Sequence, residues 1–283
     1  MKILTFDIEE WFHILDHANT ETEDNWKCFE YRIEKNIDRI LCLLESKNQS
    51  ATFFCLGWIA RKFPKIIKKI DSMNFEVGSH SDLHQLVYKQ DRKKFSEDLK
   101  KSIQSIEDLT GKKVTCYRAP GFSIKSVNQA WVFDELIENG ITIDCSIFPA
   151  NRSHGGFPSF GTGFPAIINR GGQKIKEFPI SLCKIFNKKI IYSGGGYFRI
   201  LPYYFMKKII NNSEYVMTYF HPRDFDNGQP LLKDLSLIRR FKSYYGINFA
   251  FNKLEHLIQD FNFISLSEAD KLINWSKSKE III

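Results

Sequence analysis

Two imidazoles four residues apart, His80 and His84, follow the apolar run Phe75-Glu76-Val77 in the segment Gly78-Ser79-His80-Ser81-Asp82-Leu83-His84. Side chains at that offset converge on one cation where a strand gives way to a helical loop. Near neutral pH imidazole is mostly unprotonated and free to ligate. The spacing alone decides nothing, because His13 and His17 repeat it. What separates the pairs is what else the chain brings to them. Asp7 and Glu9 with His80 and His84 make a carboxylate-and-two-imidazole set with one carboxylate to spare. Such a set leaves positions open for water and substrate, as a catalytic divalent metal requires. A metal there lowers the pKa of its water and polarises a carbonyl, and a nearby carboxylate takes the water's proton. A remote imidazole such as His221 then protonates a leaving amine. Arg118 can pair with a carboxylate and hold it in place. The rival set, Glu10, His13 and His17, lies on one short segment with Trp11 and Phe12. Residues so spaced more often line a surface or cleft.

The elements that would position these groups alternate along the whole chain. Apolar runs predict strands at Lys2–Phe6, Ala51–Leu56, Phe75–Ser79, Val114–Tyr117, Ile141–Asp144, Ile175–Ile180, Val216–Phe220 and Phe261–Ile264. Helical spacing predicts helices over Tyr31–Glu45, Trp58–Ile70 (broken at Pro64), Asp91–Leu109, Val127–Glu138, from Pro202, near 231–243 and over 251–260. Residues 17–27 read as a polar loop, and Phe148–Gly172, rich in Gly and Pro, as a long functional loop. Alternation of this kind argues for a parallel sheet with helical crossovers, open or closed into a barrel. Asp7, His80, Arg118, Asp144 and His221 each fall at the C-terminal end of a predicted strand. In (β/α) barrels that end carries the active site.

A chain of 283 residues, 43% hydrophobic with 25 Phe and 11 Tyr, has ample material for a sizeable core and is read as one domain, 1–283. No apolar run reaches the length of a membrane span. The acid at Asp7 comes too early for a signal peptide, so the expectation is a cytoplasmic protein, with the inner membrane face as an alternative. The six cysteines show no C-x-x-C spacing and read as free thiols, those at 55, 116 and 145 buried. The net charge of +7 comes from dispersed lysine pairs, Lys188-Lys189 among them, which read as solvated faces. An anionic substrate or a membrane surface would suit any partner of that charge, and no motif points to nucleic acid. The tail Glu280-Ile281-Ile282-Ile283 is expected to pack on a neighbouring copy or to fray.

Four segments carry a resemblance: Thr5-Phe6-Asp7-Ile8-Glu9, Ser79-His80-Ser81-Asp82-Leu83-His84, Arg118-Ala119-Pro120-Gly121-Phe122 and Tyr219-Phe220-His221-Pro222. In order and spacing they resemble the motifs of the polysaccharide deacetylase (NodB-homology) family, carbohydrate esterase family 4. The likeness continues through Ala51-Thr52-Phe53-Phe54, Asp144-Cys145-Ser146-Ile147-Phe148-Pro149, Gly194-Gly195-Gly196-Tyr197-Phe198-Arg199 and Arg239-Arg240-Phe241. It therefore spans nearly the whole chain, and it is nearest to the subgroup found with exopolysaccharide and O-antigen gene clusters.

The resemblance implies an α/β fold, a distorted (β/α) barrel with about seven parallel strands. It implies metal-dependent removal of an acyl group, N-acetyl first, from a sugar of an envelope or surface polysaccharide or its precursor. The sugar would be an acylated amino sugar, on a nucleotide or lipid carrier. The resemblance makes Asp7 the general base, His80 and His84 metal ligands and His221 the general acid. Arg118 orients Asp7, Asp144 tunes the acid histidine, and Gly121 with Phe122 binds the oxyanion and substrate. The family's adjacent second aspartate is replaced here by Ile8, which moves the third ligand to Glu9. One divalent ion is implied, Zn2+ first, with Co2+, Ni2+ or Mn2+ as alternatives. The alternatives in function are a deformylase or other amide hydrolase, and a glycan-binding homologue without activity. A homo-oligomer stays open.

Overall fold

Strands buried on both faces read as unbroken apolar runs, and the first half of the chain folds on that rule. The computed structural model describes residues 1–185, 188–232 and 234–283; the Lys188-Lys189 side chains, expected on a solvated face, lie outside the described residues. The chain opens with β1 (Lys2–Ile3) and β2 (Thr5–Ile8), then reaches the short helix α1 (Glu23–Trp26) inside the expected polar loop. Trp26, buried, is what anchors that segment. There follow α2 (Ile33–Ser46), β3 (Thr52–Cys55), α3 (Gly57–Lys62), α4 (Pro64–Ser72), β4 (Glu76–Ser79), α5 (Arg92–Thr110), β5 (Cys116–Tyr117), α6 (Trp131–Glu138) and β6 (Ile143–Asp144). Pro64 ends one helix and starts the next, as a residue without an N–H does best in a first turn. Gly111 closes α5 in the left-handed region.

The second half departs more from expectation. The segment read as one long loop contains β7 (Ala166–Arg170), joined to β8 (Gln173–Glu177) as an antiparallel hairpin. Its turn is the two residues Gly171 and Gly172, both at positive φ, which suits the twist of a tight hairpin. After β9 (Cys183–Ile185) and β10 (Lys188–Ile190) come α7 (Gly195–Ile200), α8 (Tyr203–Asn211), β11 (Val216–Met217), α9 (Leu237–Tyr244), α10 (Ile247–Asp260), α11 (Leu266–Leu272) and β12 (Lys279–Ile282). The tail neither frays nor needs a neighbour, because β12 pairs in parallel with β7 of its own chain. Of the strand expected at Phe261–Ile264, a single bridge from Ile264 to Ile3 forms.

Strands β2, β3, β4, β5, β6 and β8 lie side by side in that order, all parallel. On the other side of the N-terminal strand, β11 pairs with β1, and single bridges join Phe6 to Phe220 and Gly194 to Tyr219. Among the described residues no backbone ladder joins this edge to β8. The gap is crossed by side chains: Ser181 Oγ accepts from Met217 N at 3.1 Å, and Tyr215 Oη donates to the Pro179 carbonyl at 2.6 Å. The C-terminal ends of the parallel strands gather at one end of the sheet. Cys55, Cys116 and Cys145 are buried free thiols, their pKa values pushed up by burial.

Strands this close leave no room at Gly78, where a Cβ would lie 2.5 Å from Cys116 Sγ and 2.9 Å from the Cys116 carbonyl oxygen. Gly78→Ala should therefore cost about 1–3 kcal/mol by overpacking. Urea unfolding would read this as a lowered midpoint, and an unchanged midpoint would contradict the packing described.

Candidate active site

Strand alternation decides which residues of Asp7-Ile8-Glu9 face the site. Side chains two apart share a face, so Asp7 and Glu9 point together while Ile8 packs into the core. Asp7 Oδ1 accepts from Arg118 Nη1 at 2.7 Å, and the same nitrogen donates to Thr5 Oγ1 at 2.7 Å. The guanidinium is fully buried and lies over the Phe54 ring, 4.3 Å from its centroid. Asp7 is thereby held in one orientation.

His80 directly follows β4. Its Nδ1 lies 2.7 Å from the Arg118 carbonyl oxygen, which can only accept, so the proton sits on Nδ1 and Nε2 presents a lone pair. Burial, with His84 nearby, brings its pKa down to about 4, which keeps the ring neutral. His84 is reached through a tight turn with Ser81 and His84 both at positive φ. Asp98 holds that turn by accepting from Asp82 N at 2.8 Å and Leu83 N at 3.0 Å, and Ser81 Oγ accepts from His84 N. His84 Nε2 then comes to 2.6 Å from Glu9 Oε2.

Among the described residues, Glu9, His80 and His84 are the group of three whose ligand atoms fall within 4.8 Å of one another. Their fit to a cation can be tested on the Glu9 oxygen. Glu9 Oε2 is buried and accepts no aligned hydrogen bond, although the His84 nitrogen is close by. An acceptor facing a ring nitrogen in a dry site is stabilised by a cation shared between them. Burial would raise the Glu9 carboxyl, but the imidazoles of His84, His221 and His80 together hold it below the usual carboxylate range. The donor set fits a divalent metal.

Opposite this triad stands His221. Its Nε2 is 3.7 Å from Asp7 Oδ2 and 3.8 Å from Glu9 Oε1, and its Nδ1 is 2.9 Å from Asp224 Oδ2. Burial works against the charged ring, yet Asp224, Glu9 and Asp7 overcome it and raise the pKa to about 9. The expected partner of the acid histidine, Asp144, is not the one found. Asp144 is buried at the end of β6, where it accepts from Ser146 Oγ at 2.6 Å and interacts with Glu177 on β8. Ser146 Oγ accepts in turn from Ala119 N at 2.8 Å, so Asp144 steadies the Ala119–Phe122 loop instead. Asp224, in the same turn as His221, is simply nearer. Gly121 and Phe122 line the cleft, both at positive φ.

The rival set does not assemble. Glu10 accepts from Arg32 N and Ile33 N at the start of α2, and His17 pairs with Asp234 at 3.2 Å. His13, however, lines the same cleft as the triad. Its Nδ1 accepts from Glu10 N at 3.2 Å, which leaves a proton on a buried, unpartnered Nε2. Tyr219 and Arg152 also line the cleft, about 500 Å³; Tyr219 Oη and Arg152 Nη1 are buried without an aligned hydrogen bond, and the two side chains interact with each other. Arg152 lies 4.6 Å above the Phe148 ring. The sequence held a signal for Asp224, a carboxylate three residues after a strand-end histidine, and Tyr219 lies within the quoted Tyr219-Phe220-His221-Pro222 segment; for Arg152 it held none.

The comparisons with known proteins divide the chain. Residues 17–131 match the family model described as polysaccharide deacetylase, and residues 145–271 match a domain of unknown function (DUF3473). Similar curated proteins are the peptidoglycan deacetylase of Helicobacter pylori, 31% identical over 40% of this chain and 38% of its own, and the peptidoglycan-N-acetylglucosamine deacetylase of Bacillus cereus, 29% identical over 34% of this chain and 35% of its own. The match thus spans little more than a third of either relative's length. Among solved structures, a Mycobacterium smegmatis protein designated a polysaccharide deacetylase is similar over 99% of this chain and 92% of its own, with TM-score 0.66 at 18% identity. A peptidoglycan N-acetylglucosamine deacetylase in complex with an N-oxidanyl-benzamide covers 99% and 89%, with TM-score 0.51 at 16% identity. These likenesses establish the fold, and the sequence matches support a relation to the polysaccharide deacetylases.

The His221–Asp224 pair can be read without any substrate. In metal-free protein, NMR titration of His221 should give a pKa near 9, and Asp224→Asn should bring it down, since the carboxylate is what raises it. Because the folded value lies above the ordinary 6.5, the pair's contribution to stability is full below that pH and is lost as pH rises through about 9. A His221 pKa unmoved by Asp224→Asn would contradict the pairing.

Proposed function

We propose that this chain is a single catalytic domain, residues 1–283, that hydrolytically removes an acetyl group from the nitrogen of an amino sugar, with Glu9, His80 and His84 as the seat of one divalent metal, Zn2+ first. The observation that carries the reading is the meeting, in one cleft, of this triad with an Arg118-held carboxylate and an Asp224-backed imidazole. The run of parallel strands from β2 to β8, with β11 on β1, suits a distorted barrel whose site lies at the strand ends.

When bound, the metal would polarise the acyl carbonyl and make a water more acidic. Asp7, fixed by Arg118, is the base that takes a proton from water beside the carbonyl carbon. His221, which the Asp224 carboxylate favours in its protonated form, stands on the Asp7 side of the cleft and gives its proton to the departing sugar amine. Gly121, at a φ of +61° that strains any side chain, presents backbone to the oxyanion with Phe122 beside it. The proton on His13 Nε2 offers a fixed neutral donor to a sugar oxygen, and Arg152 stands ready for an acyl or anionic group on the substrate.

An envelope or surface polysaccharide, or a precursor on a nucleotide or lipid carrier, is the substrate class we favour. The named relatives that act on peptidoglycan support it. Membership of the subgroup found with exopolysaccharide and O-antigen gene clusters is part of the same reading. Six unpaired thiols suit a reducing compartment, so we place the activity in the cytoplasm.

Incubation with N-acetylated amino sugars and their oligomers should release acetate, stop with a chelator and resume with added Zn2+ or Co2+. Release of formate alone would favour a deformylase, and no release from any acylated sugar would leave a glycan-binding protein. Asp7→Asn and His221→Ala should each lower kcat by about 10²–10⁴-fold. Activity within a factor of about ten of the unmodified chain would remove that residue from its role.

A further inference from the structure

Helix α9 buries none of its residues. A helix of eight residues is marginal on its own and normally persists by packing an apolar face. Here one ring, Tyr244, packs partly buried against the core, and the other tethers are polar. Arg199 donates to the carbonyls of Ser243 and Lys242 at 2.5 and 2.8 Å, and Arg239 donates to those of Leu15 and Asp16 at 2.6 and 2.8 Å. These bonds fix the inner side of the helix to the rim of the cleft, which Arg239, Lys242 and Ser243 help to line. The outer side is apolar. Helical spacing stacks Phe241 on Leu237 with Ile238 beside them, and Tyr245 extends the stripe, its ring 4.6 Å from that of Phe241. Leu237 is 82% exposed and Ile238 69%, and Phe249, in the first turn of α10, is 72% exposed. Residues 237–249 carry Arg239, Arg240 and Lys242 and no carboxylate.

We propose that α9 and the start of α10 dock on an anionic lipid bilayer, with Leu237, Ile238, Phe241 and Phe249 entering the headgroup boundary and Arg240 meeting lipid phosphates. An apolar stripe flanked by cations is the pattern of helices that lie in a membrane interface. No helix among the described residues is long and apolar enough to cross a membrane, so the contact is peripheral. A second copy is the less suited occupant. A two-fold interface through this face would set Arg240 against its own copy with no acid on the segment to offset it. Docking here would hold the cleft mouth at the bilayer surface, within reach of a sugar carried on a lipid. That last consequence rests on the deacetylase reading; the docking itself does not.

The test therefore uses no substrate. The full chain is sedimented with vesicles of phosphatidylglycerol and phosphatidylcholine, and with phosphatidylcholine alone, at low and high salt. Binding should be tighter by about tenfold or more on the anionic vesicles and should weaken with salt. Leu237→Ser with Ile238→Ser should reduce it by about tenfold while the His221 titration stays unchanged, which shows that the cleft is intact. Equal binding to both vesicles, binding to neither, or a double variant that binds as well as the unmodified chain would overturn the proposal. Sedimentation velocity supplies the remaining outcome. A dimer that the double variant dissolves, with no vesicle binding, would assign the face to a second copy and also overturn it.

Discussion

A guanidinium taken wholly out of water must find its partners inside the protein, and Arg118 takes them from three directions. Its side chain fixes Asp7 and Thr5 on β2 and reaches Met217 Sδ on β11 at 3.6 Å. Its carbonyl sets the tautomer of His80. One residue thus orients the proposed base and one imidazole of the proposed metal site while tying β2 to β11. Removing one member of such a pair leaves a buried charge alone, at about 3–5 kcal/mol. Base, ligand and scaffold are therefore not independent parts. Thr5 extends the connection, since its hydroxyl donates to the Thr218 carbonyl beyond β11.

Burial by itself would treat the site histidines alike, and their neighbours are what divide them. His80 has an amide carbonyl on one nitrogen and stays neutral, ready to ligate. His13 has an amide N–H on one nitrogen and is neutral with the opposite tautomer, ready to donate; burial lowers its pKa to about 3. His221 has a carboxylate on one nitrogen and is charged. Three imidazoles around one cleft thus differ in charge and tautomer, each with a different hydrogen-bond partner. The carboxylates divide in the same way. Glu9 is ionised among imidazoles, while Glu10, buried with only backbone donors, rises to about 7.

The parts legible in the sequence are those where a short apolar run ends in a polar residue. A strand buried on both faces cannot hold Asp7, His80, Arg118 or His221 in its interior without a reason, so these residues mark strand ends. The resemblance moved the third ligand to Glu9, and the two-residue period of a strand is what lets Asp7 and Glu9 share a face. What was hidden depends on contacts the sequence does not order. Asp224 and Asp144 are both acids near the site motifs, and only the chain's path puts Asp224 on His221 and Asp144 on Ser146. His13 looked like a member of a rival ligand set because spacing ignores direction, and its ring turns toward the His84 side of the cleft. The β7–β8 hairpin was masked by the loop composition around it, although Gly171-Gly172 is itself a hairpin signal. The tail reads as apolar and free until β7 exists to receive it.

The division of labour between two carboxylates two residues apart is the point on which the chemistry turns, and zinc titration of the metal-free protein reads it directly. Glu9→Gln should weaken zinc binding by about a hundredfold or more, while Asp7→Asn, which alters a group outside the ligand set, should stay within about tenfold of the unmodified chain. Equal losses in the two variants, or a larger loss in Asp7→Asn, would show that Asp7 holds the metal and would contradict its assignment as the base.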